Sequence, residues 1–248
     1  MFIRPLRSQP LDTDIHISYH GAPPKIVQKT RCLGVIVDDR LTWTSHVDCI
    51  AAKIGRKVGA LRRARRQLTP AARRQFYISV IQRDLEYGAI AFSPSLPAAE
   101  RQRLLGLFRR AVRAAAAVHP QAEVEPLLQD MAIVDIRLRW IFHMGLFAFQ
   151  CCKEPAAACL RDMFPPCSSK YNTRGKVNGS LLIVQHKSKS GVNSITNRLS
   201  LLWNALPAKL KSCSSSHQFR GEFIEILQSD EKLVIHLFSL MFGNVVSV

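Results

Sequence analysis

The chain has 248 residues, and 47% of them are hydrophobic, which excludes a chain that is disordered throughout. Lys and Arg number 35 against 18 Asp and Glu, so the formal net charge is +17. This surplus favours a polyanionic partner, because basic proteins gain affinity for nucleic acid by releasing counterions from phosphates. No apolar run reaches the ~18 to 20 residues that span a bilayer, and the N-terminus lacks the apolar core of a secretory signal. We therefore expect an intracellular protein, nuclear or cytoplasmic, not secreted and without a membrane partner.

Positive charge is concentrated in the middle of the chain. Residues 51–118 contain 15 basic and 3 acidic side chains, and this segment is predicted to form any nucleic-acid face. The seven cysteines are an odd number in a chain without a signal peptide, which favours a reducing compartment. Because the cluster of cysteines at 151–167 lacks the C-x₂₋₄-C spacing of a zinc site, no metal site is predicted.

Residues 1–43 are predicted to form a small antiparallel β meander. Alternating and β-branched apolar residues occur there between turn residues such as Gly21. The last apolar run of the meander contains Leu33, Val35, Ile36 and Val37.

Residues 44–118 are predicted to form a bundle of basic helices. Ser45 is the expected N-cap of the first helix, with an acidic residue three positions later, as in a weak capping box. Its apolar residues recur every three or four positions and form one stripe, which consists of Val47, Ile50, Ala51, Ile54, Val58 and Leu61. Lys53, Arg56 and Arg63 fall roughly opposite this stripe, so one face packs and the other is positive.

Two more helices are predicted in this segment. One begins with Thr69 as its N-cap and Pro70 as its first residue, and it runs to about Ser93. The other runs from Pro97 to about Val118. Arg dominates the basic residues here, and its planar guanidinium can bind a phosphate with two hydrogen bonds, which favours RNA or DNA as the partner. For any single arginine, a solvated surface position is the alternative.

The C-terminal half is predicted in three parts. Residues 119–163 form a buried helical region, because a helix at about 133–152 is apolar on nearly every side. Residues 164–198 form a linker loop rich in turn-forming residues, with one strand-like run at 180–185. Residues 199–248 form a helical region, and its last apolar segment either covers the core or is a foreign tail.

Three short motifs stand in order along the chain. The first is Leu33-Gly34-Val35 followed by Asp39, Leu41, Trp43 and His46. The second is Leu85-Glu86-Tyr87-Gly88, and the third is Leu202-Trp203-Asn204-Ala205-Leu206-Pro207. In this order they resemble the LGV…D…L-x-W…H string, the L-x-YG element and the LWN-x-LP box of reverse transcriptases from non-LTR retrotransposons (LINE-type, Jockey-like). The resemblance covers about residues 1–228.

The resemblance implies the end of the polymerase palm, the thumb and the helical region that follows it. The expected fold is therefore mainly α: a helical, thumb-like bundle with a small N-terminal antiparallel β meander and a loop-rich C-terminal part. The implied partner is nucleic acid, either RNA or an RNA–DNA hybrid, held through its phosphates independently of sequence. The upstream palm and fingers of the parent polymerase would be missing. The predicted phosphate contacts are Lys53, Arg56, Lys57, Arg62, Arg63 and Arg66, with Arg73, Arg74, Arg109 and Arg110 in second place.

No polymerase activity is expected from this chain alone. Asp38-Asp39 resembles the aromatic-x-Asp-Asp box whose carboxylates hold divalent cations, but Ile36 stands where that box has an aromatic residue. We interpret the pair as a strand-to-helix turn and assign no catalytic residue. No cofactor is expected in the fragment, and Mg²⁺ is expected only for the intact polymerase.

The aromatic motif residues are interpreted as structural. An aromatic residue at helical spacing, such as Tyr87, belongs more often to a core than to a base-stacking platform. The apolar neighbours of Trp203 favour an anchor for the end of the linker. Two other hypotheses stay open. Residues 33–81 also resemble a helical region associated with AlkB-type alkylated-DNA-repair homologues, which would imply a protein-docking module. The second hypothesis is that the chain is the product of a decayed element and has no function.

Overall fold

The computed structural model describes residues 18, 21, 27–167, 179–186 and 189–242. It confirms a mainly helical fold, 68% helix, with a small two-stranded antiparallel sheet near the N-terminus. The parts of the meander predicted at residues 1–17, 19–20 and 22–26 and the parts of the linker predicted at residues 168–178 and 187–188 lie outside the described residues. Contacts divide the chain into two compact units. Unit 1 contains Met1–Leu85 and Leu96–Ala122, and unit 2 contains Glu86–Ser95 and Glu123–Val248.

Unit 1 begins with a β-hairpin. Strand β1 (Lys29–Cys32) pairs with strand β2 (Val35–Asp38). Leu33 and Gly34 alone connect them, and both have positive φ (45° and 84°), as a two-residue type I′ turn requires. The prediction that Leu33 belongs to the strand is wrong, because this turn places it at the hairpin tip with 87% of its surface exposed.

The helices of the first half follow in order. They are α1 (Thr44–Ala64), α2 (Pro70–Phe76), a π-helical segment (Tyr77–Gln82), α3 (Arg83–Glu86), α4 (Ala89–Phe92) and α5 (Ala98–Ala116). The predicted cap at Thr69 is confirmed, since its hydroxyl accepts a hydrogen bond from the Ala72 N–H at 3.2 Å. The predicted cap at Ser45 is wrong. The N-cap of α1 is Trp43, which has positive φ and no side-chain capping bond.

The single helix predicted from Pro70 to Ser93 is also wrong. The π-helical segment interrupts it and places Tyr77 and Gln82 on one side, where both are buried. Gly88 then ends the helical run with a φ of 68°, a conformation that glycine adopts without steric strain.

Helices α1 and α5 form the core of unit 1 and lie side by side in the same direction. Near their starts, Arg103 contacts Asp48 at 2.7 Å, and near their ends Arg62 and Arg113 line one cavity. The predicted stripe of α1 is buried apart from Ala51, which is half-buried. The buried residues of α5 are Leu104, Leu105, Phe108, Ala111, Val112, Ala114 and Ala115.

Unit 2 is built around one long helix. After α6 (Glu125–Asp130) come α7 (Ile136–Lys153), α8 (Ala158–Arg161), α9 (Lys189–Val192), α10 (Ile195–Ala205), α11 (Ala208–Lys211), α12 (Ser216–Ser229) and α13 (Glu231–Phe242). Helix α7 contacts α4, α8, α10, α12 and α13. This confirms the predicted buried helix. The strand-like run predicted at 180–185 is wrong, since its only described pairing is one bridge between Pro166 and Leu181.

Aromatic rings fill the core of unit 2. Phe149 of α7 stacks on Phe219 of α12 with ring centroids 4.7 Å apart. Helix α13 covers this core, because Leu237, Met241 and Phe242 are buried, so the last apolar segment packs as part of the fold.

Replacing Leu33 by Asn should raise the free energy of unfolding by about 0.5–1 kcal/mol. Positive φ costs roughly 1–2 kcal/mol for most L-residues, whereas Asn adopts it readily, and Asn-Gly is a preferred type I′ pair. Urea denaturation measures the difference, with Leu33→Ala as the control that removes the exposed side chain but keeps the strain. Equal stability of the two variants would contradict the proposed turn strain.

Candidate nucleic-acid interface

Asp38 holds the turn between β2 and α1. One carboxylate oxygen accepts the Arg40 and Thr42 backbone N–H groups at 3.1 and 2.9 Å, and the other accepts the Trp43 N–H at 2.9 Å. These bonds stabilise the positive φ angles of Leu41 (53°) and Trp43 (63°). Burial raises the pKa of Asp38, but the backbone donors lower it more, and the net pKa lies below its ordinary value. The carboxylate therefore has a structural role.

His46 joins the first turn of α1 to the hairpin. Its Nδ1 accepts a hydrogen bond from the Ile36 backbone N–H at 3.3 Å, and the side chain is buried. Burial lowers the pKa of His46, and the charges of Lys53 and Arg31 lower it further. The imidazole is thus kept neutral, because protonation of Nδ1 would remove the acceptor.

The predicted phosphate-binding residues of α1 fall into two groups. Five are exposed: Lys53, Arg56, Arg62, Arg63 and Arg66. Lys57 is half-buried, and its ammonium donates to the Val80 carbonyl at 2.9 Å and to Asp84 Oδ2 at 2.6 Å. These two contacts connect α1 to the π-helical segment and to α3. The Lys57 ammonium therefore already has partners within unit 1.

Among the residues predicted in second place, Arg73 is also engaged internally. Its guanidinium donates to the carbonyls of Ala115 (2.9 Å), Leu68 (2.7 Å) and Arg65 (3.2 Å). These carbonyls lie in the last turn of α5 and in the connection after α1, so Arg73 holds the helix ends together. Arg74 and Arg109 are half-buried, and Arg110 is exposed.

Four arginines surround one open depression at the end of α1, and we call them the arginine cluster: Arg62, Arg63, Arg65 and Arg66. Within the described parts of the chain, none of the four forms an ion pair. No Asp or Glu occurs in the sequence between Asp48 and Asp84. Arg65 is not among the predicted phosphate contacts, although it belongs to the same arginine run.

The arginine cluster continues onto the end of α5. Arg62 and Arg65 also line a smaller cavity of about 150 Å³, together with Arg113, Val118 and Pro120. The parallel packing of α1 and α5 therefore gathers basic side chains from two helices at one end of unit 1. An electropositive surface of this kind attracts phosphate groups.

The L-x-YG motif contributes to unit 2 through Glu86. Its carboxylate accepts hydrogen bonds from the Arg139 guanidinium, with Nη2 at 3.0 Å, and lies 3.3 Å from His143 Nε2. These contacts attach the end of α3 to α7. Tyr87 is 59% exposed, so the prediction that it belongs to a core is wrong, because α3 ends beside it at Gly88.

Trp203 and Asn204 fix the backbone that precedes α9. The Trp203 indole N–H donates to the Gly179 carbonyl at 2.9 Å, and its ring is only 2% exposed, so no base can stack on it. The Asn204 amide accepts from the Leu181 N–H at 2.7 Å and donates to the Leu181 carbonyl at 2.9 Å. Pro207 is the N-cap of α11.

Comparisons with known proteins add no identification. No family model, no curated protein and no solved structure matches the chain. Within the described residues, no group of three or more His, Cys, Asp or Glu side chains is placed to hold a metal ion. No helix in the described ranges has the length and apolar character needed to cross a bilayer.

Replacing Asp38 by Ala should lower the free energy of unfolding at pH 7 by about 1–2 kcal/mol, because backbone donors lose their acceptor beside two strained residues. A carboxyl whose pKa is lowered by folding stabilises the fold above its unfolded pKa, and this contribution is lost as pH falls through the folded pKa. The difference in the free energy of unfolding between wild type and variant should therefore disappear at low pH. Urea denaturation between pH 7 and 2.5 measures this difference, with the exposed Asp162→Ala as control. A constant gap would contradict the role of the carboxylate charge.

His46 should make unit 1 less stable below neutral pH. Its pKa is lowered on folding, so the unfolded state binds a proton first, and stability falls as pH drops below the unfolded value of about 6.5. Asn in place of His46 keeps an acceptor but cannot titrate, and the loss of stability between pH 7.5 and 5.5 should shrink. The urea concentration at the midpoint of unfolding, determined at both pH values, measures this loss of stability. His217→Asn, at an exposed position, should leave it unchanged, and an equal effect of both variants would refute this assignment.

Proposed function

We propose that the chain is the thumb-containing part of a LINE-type reverse transcriptase that lacks the palm carboxylates, and that unit 1 binds a nucleic-acid duplex through its phosphates. The arginine cluster is the observation that carries this proposal. Four guanidinium groups surround one open depression, and no ion pair with a described carboxylate neutralises them. The order of the three sequence motifs supports the proposed family.

The pairing of other cations in unit 1 supports a specific role for the arginine cluster. Lys57 is paired with Asp84 at 2.6 Å, and Arg103 with Asp48 at 2.7 Å. Unit 1 thus neutralises these two basic groups but assembles four like charges at the end of α1. The four guanidinium groups repel one another, and the phosphates of a bound polyanion offset this repulsion because they attract each of them. Guanidinium groups suit phosphates in particular, because they donate two parallel hydrogen bonds.

The exposed face of α1 extends this surface along the helix. Lys53, Arg56 and Arg63 lie on the side opposite the buried stripe. From Lys53 to Arg63 the helix advances by about 15 Å, at 1.5 Å per residue. Duplex DNA carries one charge per about 1.7 Å of axis, so this face can meet several phosphates. Contacts to phosphates carry no sequence information, so binding is sequence-independent.

The proposal assigns no polymerisation to this chain. Both oxygens of Asp38 accept backbone N–H groups, so the proposal assigns this carboxylate to the turn. The proposed biochemical role is therefore to hold an RNA duplex or an RNA–DNA hybrid.

A labelled RNA–DNA hybrid should bind the chain with steep salt dependence. About four phosphate contacts predict a loss of affinity of roughly 100-fold between 50 and 200 mM salt. The triple variant Arg62→Gln, Arg63→Gln and Arg66→Gln should lower the slope of log K against log salt by about 2 to 3. Fluorescence anisotropy measures both quantities, and a second hybrid of unrelated sequence should give the same values.

A matched control separates local contacts from net charge. Lys209→Gln, Arg220→Gln and Lys232→Gln remove three exposed charges from unit 2 and give the same net charge as the cluster variant. This control should keep the wild-type slope to within about one charge. Equal slopes for the two variants, or an affinity that does not change with salt, would refute binding at the arginine cluster.

A further inference from the structure

Unit 2 contains a cavity that the proposed nucleic-acid contact does not use. Its volume is about 530 Å³, within the range of about 300–1,000 Å³ typical of small-molecule sites. Its walls are formed by the end of α7, helix α8, two segments joined by the Pro166–Leu181 bridge (residues 164–166 and 179–181), α10 and α11. The bonds from Trp203 and Asn204 to residues 179 and 181 hold one wall in place.

The walls combine apolar surface with positive charge. Pro166 and Ala208 are exposed and provide the accessible apolar part, and the buried side chains of Phe164, Leu181 and Trp203 lie behind it. Trp203 already donates its indole N–H to a carbonyl, so it offers only hydrocarbon surface. The described lining contains three cations, Lys153, Arg161 and Lys211, and no carboxylate.

Cys152 does not balance these charges. Burial and the neighbouring Cys151 raise the pKa of its thiol to about 11, so the thiol is neutral at physiological pH. The described lining of the cavity therefore carries three positive charges and no negative one. A dianion complements such a cavity better than a monoanion does.

Among the lining side chains, Lys211 gives the strongest indication that the cavity binds a ligand. It is only 9% exposed, and its ammonium donates to the Asn204 carbonyl at 3.1 Å. That carbonyl lies near the end of α10, where a cation is favourable. An ammonium has three N–H donors, however, and no described carboxylate forms an ion pair with that of Lys211. Burial also lowers the pKa of Lys211, and a bound anion would offset this effect.

We propose that this cavity binds a small organic phosphate, with the phosphate at Lys211, Lys153 and Arg161 and an apolar or aromatic body against the exposed apolar lining at Pro166 and Ala208. A phosphate monoester carries about 1.5 to 2 negative charges at pH 7, which matches the cationic wall. The apolar wall accounts for an organic group attached to it. The site is independent of the arginine cluster, which belongs to unit 1.

Calorimetric titration of the full chain with phenyl phosphate tests this proposal. Phenyl phosphate should bind at least about tenfold more tightly than inorganic phosphate, because only the ester reaches the apolar wall. Phenol, which lacks the phosphate, should give no measurable binding. If inorganic phosphate binds as tightly as the ester, or phenyl phosphate does not bind at millimolar concentration, the proposal is overturned.

Variants assign the binding to the cavity. Lys211→Met keeps the length of the side chain, removes its charge and should weaken phenyl phosphate at least about tenfold. Lys153→Met with Arg161→Met changes two exposed residues, should leave the fold intact and should weaken binding to a similar extent. This double variant keeps the test decisive if Lys211→Met fails to fold.

Matched controls exclude general attraction to a basic protein. Lys232→Met with Arg220→Met removes two charges from exposed positions of unit 2 outside the cavity, and it should change the affinity by less than about twofold. The triple variant of the arginine cluster should also retain phenyl phosphate binding, even if it loses the hybrid. Equal weakening by the control and the Lys153/Arg161 variant would overturn the site.

Discussion

Two helices that run in the same direction end side by side in unit 1, and this arrangement brings together carbonyl groups that have no partner within a helix. Helix ends of this kind carry a partial negative charge. Arg73 donates to the carbonyls of Ala115, Leu68 and Arg65, and Arg113 donates to that of Ala122 at 2.7 Å. Part of the basic surplus therefore stabilises the packing of α1 and α5. The arginine cluster belongs to the part that stays at the surface.

The elements that could be predicted from the sequence are those set by local patterns. The three-to-four spacing of apolar residues from Val47 to Leu61 defines the buried face of α1, because burial of one stripe dictates the orientation of a helix. Thr69 and Pro70 mark a helix start through their own backbone chemistry. Leu33 was misassigned because its apolar character matches a strand, whereas the two-residue turn is defined by the backbone angles of Leu33 and Gly34 together.

The partners of individual charges could not be predicted, because they lie far away in sequence. Lys57 meets Asp84 27 residues later, and Arg73 meets the carbonyl of Ala115 42 residues later. The same reason explains why the division at Leu85 was not anticipated. Glu86 is fixed by Arg139, 53 residues onward, so the end of α3 packs with the C-terminal helices. Composition thus indicates a basic face, and only tertiary contacts determine which cations remain on it.

Side-chain contacts fix how α7 and α12 pack together. The ring of Phe223 occupies the space that a β-carbon at Gly145 would need, and Phe149 stacks on Phe219. Because side-chain fit determines where the two helices meet, the number of residues in the loops between them does not determine it. Loop closure depends only weakly on loop length, so insertions or deletions in the loops of the connecting chain, outside helices α8 to α11, can accumulate without a change in the register of the core. Length variation in that connection is therefore compatible with an unchanged helical scaffold.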